Sequence, residues 1–162
     1  MSKIATYNGL KADLLNLTYT KQDSTTGKVK FVGLWSNNEE QMDIPDLLPA
    51  IYIEFLPAQY RELTNGIQDF DIDIKLHIIF ESYKDVDLDV LALEDKVFSV
   101  VHKKQYGFWG QLIRVSDQQD FDHTNVQEFS QIYRARSCKT YTADNRPTNA
   151  VQTAPVVNST SI

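Results

Sequence analysis

The stretch from Ile67 to Tyr83, IQDFDIDIKLHIIFESY, limits the fold more than any other part of the chain. From Phe70 to Phe80 every even position is apolar (Phe70, Ile72, Ile74, Leu76, Ile78, Phe80), while Asp69, Asp71, Asp73, Lys75 and His77 occupy odd positions. Successive side chains of a β-strand point to opposite faces, so this pattern predicts a long strand with one face in a core. A slip of one residue would turn the whole apolar row outward, which fixes the register. The strand needs partners along its edges and a layer over its apolar face. The charged row on the other face is the first candidate for function.

The rest of the sequence supplies those partners. Ile4, Tyr7, Leu10, Leu14 and Leu17 recur at spacings of three and four, the stripe of a short amphipathic helix that Gly9 weakens. TKQDSTTG reads as a polar loop, KVKFVGLW (28–35) as a strand and SNNEEQMDIPD as an exposed connection. AIYIEFL is a second strand bounded by Pro49 and Pro57, with Ile51, Ile53 and Phe55 on one face and Tyr52 and Glu54 on the other. From Asp87 to Tyr106 the period changes to helical, with Val90, Leu93, Val97, Val100 and Val101 on one stripe. Asp87 and Asp89 suit its N-terminus, His102, Lys103 and Lys104 its C-terminus, and Gly107 its end. GQLIRVS (110–116) and VQEFSQIYRARSCKTY (126–141) are strands around the polar turn DQQDFDHTN.

The expected fold is therefore α+β: a single domain over 1–141 with a mainly antiparallel sheet of about five strands packed by two helices, in the order helix, strand, strand, strand, helix, strand, strand. Residues 142–162 have no aromatic residue and no periodicity, and are expected to form a flexible C-terminal arm.

Composition narrows the function classes. The 162 residues include one cysteine, Cys138, so no internal disulfide is possible and a reducing compartment is expected. The N-terminal residues do not resemble a signal peptide, and no apolar run approaches the roughly 20 residues that cross a bilayer. A formal charge of -6 argues against a sequence-independent grip on nucleic acid, which needs clustered lysine and arginine. Nine acidic residues face two lysines between Asp69 and Asp95. Such a face inside a ring would repel a nucleic-acid backbone and let it slide.

Each cluster with catalytic potential also has a structural explanation. Alternate residues on one strand face lie about 6.5 to 7 Å apart, so Asp69, Asp71 and Asp73 can flank a hard cation. The same row is stable as a solvated face if the next strand brings opposite charge, and Arg134 and Arg136 alternate in the last strand. Asp117, Asp120, Asp122 and His123 fit neither the calcium-loop nor the H-E-x-x-H spacing and suit a turn. His102 reads as a partner of the helix dipole rather than a base. Cys138 lacks an activating neighbour in sequence, and there is no G-x-S-x-G, C-x-x-C, P-loop or G-x-G-x-x-G. No catalytic, cofactor or metal residue is assigned. Tyr106, Phe108 and Trp109 form an aromatic group expected to cover the core.

At this point LLPAIYIEFLP, DFDIDIKLHIIFESY, a helix, and LIRVSDQQDFDHTNVQEFSQIYRARSCKTY together resemble the tail terminator and head-to-tail joining proteins of tailed bacteriophages and prophages. The D-x-D-H-x-N turn (Asp120, Asp122, His123, Asn125) and the long closing strand carry the resemblance, which spans roughly residues 1–141. It implies a non-enzymatic virion protein, assembled in host cytoplasm into a homomeric ring, often sixfold, that caps the tail tube and meets the head connector. DNA would pass without specific binding. Asp69, Asp71, Asp73, Lys75, His77, Arg134 and Arg136 are then candidates for a lumen or inter-subunit surface. The alternatives are a divalent-metal-dependent hydrolase or nuclease using Asp69, Asp71 and Asp73, and an acidic inhibitor or immunity-type binding protein.

Overall fold

The computed structural model describes residues 3–36, 45–64, 66–81, 87–106, 110–120 and 126–141. The expected C-terminal arm, most of the SNNEEQMDIPD connection, Gly107, Phe108, Trp109, Asp122, His123 and Asn125 lie outside these residues.

Two long strands form the axis of the molecule. β6 (Ile67–Glu81) is the alternating stretch, and β8 (Val126–Tyr141) runs antiparallel along its full length, from Glu81 opposite Val126 to Ile67 opposite Tyr141. The other edge of β6 is shared. β4 (Ala50–Phe55) pairs with its second half and β5 (Gln59–Thr64) with its first. β3 (Phe31–Leu34) lies parallel to β4, and β7 (Ile113–Asp120) closes the far edge against β8, giving the order β3-β4-β6-β8-β7 with β5 beside β6. A separate hairpin joins β1 (Thr18–Thr20) to β2 (Thr26–Lys28).

The fold class stands as expected, α+β with two helices and a mostly antiparallel sheet, but the strand count and order differ. Among the described residues, six strands share the main sheet and two more make the hairpin. TKQDSTTG holds the turn of that hairpin, 21–25, with its ends paired in β1 and β2; the turn is closed by the Asp23 carboxylate, which accepts from the Thr25 backbone N–H at 2.9 Å and from its hydroxyl, and by Ser24 at φ 65. KVKFVGLW breaks after Lys28, because Val29 and Lys30 carry the chain from the hairpin to the sheet. β5 was not expected: QYRELT lacks strict alternation and owes its strand form to pairing with β6.

The helices cover the even face of β6. α1 (Lys3–Leu15) buries Thr6, Leu10 and Leu14, leaving Ile4 exposed. Gly9 has a packing reason: a Cβ there would sit 2.5 Å from the Tyr106 ring, which lies against the helix and donates its hydroxyl to Asp13 at 2.7 Å. α2 (Asp87–Val101) buries Val90, Leu93, Val97 and Val101 as its stripe predicts. It ends six residues before Gly107. Lys103 supplies the left-handed turn at φ 63, and its N–H donates to the Leu112 carbonyl at 2.7 Å, so pairing with a later segment stops the helix. Its last turn carries no basic residue.

The main core gathers the even row of β6 with Ile51, Ile53, Leu10, Leu93 and Tyr133. Each such large side chain contributes about 1.5 to 3 kcal/mol when taken from water. A second, smaller core lies on the other face of the sheet, where Leu48, Ala50, Tyr52, Ile79 and Val126 pack with Phe31 and Trp35. β7 starts three residues later than GQLIRVS and extends through Asp120, into the expected turn, because β8 is long enough to pair with it.

Candidate functional site

The odd-numbered row of β6 divides in two. In the first half the charges form pairs across strands. Asp73 stands opposite Arg134 in register, and the guanidinium grips it with two hydrogen bonds of 2.7 Å. Asp69 takes Arg61 of β5 at 3.2 Å through Oδ2, while its Oδ1 is buried with no hydrogen-bond partner among the described residues. Asp71 is exposed and lies opposite a β-bulge where Arg136 and Ser137 of β8 face one residue of β6. Arg136 is exposed there. Arg61, Asp71, Asp73 and Arg134 border a shallow cavity of about 370 Å³ together with Pro57 and Gln59.

The second half corrects the reading of His77 as a surface group. His77 is 2% exposed. Its Nε2 meets Glu54 Oε2 at 2.9 Å and its Nδ1 meets Glu128 Oε1, while the Trp35 indole stacks flat on the ring at 3.8 Å between centroids. Glu54 comes from β4, Glu128 from β8 and Trp35 from just after β3, so tertiary pairing assembles the cluster. Glu128 is itself buried. A neutral imidazole has one N–H, so two carboxylate contacts need a second proton, on the ring or on a carboxyl group. The sequence did carry a signal: Ile78, Ile79 and Phe80 are consecutive apolar residues, which breaks the alternation and marks a strand segment covered on both faces. Lys75, partly exposed, stands opposite Glu54 between the two halves.

Most of the charged side chains of this row are already engaged with partners. Both nitrogens of His77 face carboxylates, so it offers no lone pair to a substrate or metal. Asp69 and Asp73 are held by arginines. Among the described residues, no group of three or more His, Cys, Asp or Glu side chains is placed to hold a metal ion. His102 lies one residue past α2, accepts the Arg114 backbone N–H at 3.2 Å and rests against Phe98; it is part of the packing rather than a dipole partner in the last turn. Asp117 pairs with Arg114 at 3.5 Å. Cys138 is buried, and burial pushes its thiol pKa up, away from a reactive thiolate. Tyr106 is core cover, as expected.

No helix among the described residues is long and apolar enough to cross a membrane. No protein-family model matches the chain, and no curated protein does. Among solved structures, it is similar to a chain of the structure described as "Virion of native gene transfer agent (GTA) particle", with a TM-score of 0.45 and 12% identity over 67% of this chain and 78% of that one.

Proposed function

We propose that this chain is a structural protein of a tailed-phage-like particle, one copy of a homomeric ring at the head–tail junction or the top of the tail, acting without catalysis. The observation that carries the proposal is the fate of the charged row: in its outer half it is a surface of inter-strand ion pairs around the exposed Asp71, and in its inner half it is buried structure. The order of LLPAIYIEFLP, DFDIDIKLHIIFESY, helix and long closing strand agrees with the resemblance to tail terminator and head-to-tail joining proteins. Partners under this reading are further copies, a tail tube and a head connector. DNA passes an acidic surface that repels its backbone.

The test is the mass of the purified protein by light scattering over a range of concentrations, with electron microscopy of the largest species. A closed ring, sixfold in the simplest case, is expected. A protein that stays monomeric at the highest concentration overturns the reading.

A further inference from the structure

A slot of about 470 Å³ opens beside the outer edge of β2, lined there by Thr26, Gly27, Lys28 and Lys30. The surrounding hydrogen bonds fix which backbone groups face it. Lys21 donates its N–H to the Thr25 carbonyl at 2.8 Å and Val29 donates to Leu17 at 3.4 Å, so odd-numbered residues of this segment turn their backbone groups toward β1. Along an antiparallel strand these groups alternate between the partner side and the outer side. Thr26, Lys28 and Lys30 therefore turn theirs outward. The Lys30 N–H does so, donating to the Pro49 carbonyl at 2.9 Å. Thr26 and Lys28 have no backbone partner on that side among the described residues, since β2 pairs with β1 alone. Such an open edge is a template for another extended chain.

The remaining lining selects the chemistry of that chain. Leu48, Phe80 and Tyr19 give the slot an apolar floor, and the Tyr19 ring lies over Gly27, where a Cβ would sit 2.3 Å from it. The cations are Lys21, Lys28 and Lys30, none of them in an ion pair with a described carboxylate. Asp89 is the one carboxylate among the described lining residues, and it accepts the Gln22 backbone N–H at 2.7 Å. Three free ammonium groups against one engaged carboxylate, in a chain of net charge -6, favour an anionic occupant. A nucleic acid would bring the charge but not the row of N–H and C=O groups that an open strand edge pairs with.

We infer that the slot takes an extended acidic segment of a partner protein, added to the β1–β2 hairpin as a strand along Thr26 and Lys28. Strand addition draws its affinity from main-chain hydrogen bonds and its specificity from alternate side chains. The buried Tyr19 and Gly27 share one face of the hairpin, the exposed Thr26 and Lys28 the other. An added strand accordingly sets apolar side chains on Tyr19, Leu48 and Phe80, and carboxylates beside Lys28 and Lys30. The inference stands apart from the ring reading, because the partner need not be another copy.

The probe is a fluorescein-labelled peptide of alternating glutamate and valine, long enough to span Thr26 to Lys30, titrated with the intact chain and followed by anisotropy. Saturable binding of one peptide per chain is expected. Lys28→Glu with Lys30→Glu should weaken it about tenfold or more. Both side chains are exposed, so circular dichroism and melting temperature should match the unaltered protein. A second measurement needs no variant. N-methylating the glutamates should weaken binding about tenfold if the strand adds antiparallel, and N-methylating the valines if it adds parallel. Absence of saturation up to millimolar peptide overturns the inference. So does equal binding of both methylated peptides and the parent, or of a single-stranded oligothymidylate, since either would reduce the slot to an unspecific basic patch.

Discussion

The two halves of β6 share one alternating pattern and end in different environments. From Ile74 onward the strand lies between β4 and β8, its even face under the helices, while on its odd face Trp35 stacks on His77 with Tyr52 of β4 alongside. From Ile67 to Asp73 it is flanked by β5 and the end of β8, and its odd face carries ion pairs that remain partly exposed. Charge in the inner half is therefore a matter of stability, and in the outer half a matter of surface. A buried pair is costly to break because it strands a charge in a poor solvent, whereas an exposed pair is screened and worth little.

That contrast can be tested by substitution, beginning with the core they share. Leu76→Ala in the inner half should cost about 3 to 4 kcal/mol in a denaturant titration, the transfer and cavity cost of a fully buried leucine. His77→Ala should cost about 3 kcal/mol, because the buried Glu128 carboxylate loses its ring partner; the loss of the stack should also move Trp35 fluorescence. A cost below about 1 kcal/mol would place His77 with the surface charges and erase the distinction.

Alkaline pH should act on the interior next. Burial pushes the hydroxyl pKa of Tyr19 up to about 12, with Asp89 adding to the shift, and burial also raises those of Tyr106 and Tyr133. A group whose folded pKa is raised stabilises the fold fully below its unfolded value and loses that contribution as pH rises through the folded one. Melting temperature should accordingly hold up to about pH 10 and fall steadily toward pH 12, the window between the ordinary tyrosine value and that of Tyr19. A flat profile would show these hydroxyls to be solvated.

The outer half should respond least. Arg134→Ala breaks a bidentate but partly exposed pair and should cost about 1 kcal/mol, diminishing in high salt. Arg61→Ala should lie within about 0.5 kcal/mol, since its side chain is 70% exposed. If either cost approached that of His77→Ala, the outer face would be structural and the assembly role proposed for it would lose support.

How much of this was legible follows from which signals are local. β6, β8 and the stripe of α2 followed from periodicity, and Arg134 and Arg136 were available as opposite charges for the aspartate row; that Arg134 meets Asp73 was settled by strand register. β5 did not, because QYRELT has no apolar period of its own. The end of α2 was misplaced because a pairing of Lys103 with Leu112, rather than the nearest glycine, terminates it. His77 was grouped with the aspartates by parity, and parity states which residues share a face but not what covers that face.

By itself, then, the sequence determined a long central strand with one face in the core, the helix that packs over it and an acidic balance ill-suited to gripping nucleic acid. Those are consequences of spacing and composition, which act between near neighbours. Tertiary structure alone decided that β3 would run parallel beside β4 and bring Trp35 over His77, and that Lys21, Lys28 and Lys30 would line a groove with Tyr19, Leu48 and Phe80. Such placements depend on which distant segments pair, and no local pattern records a partner many residues away.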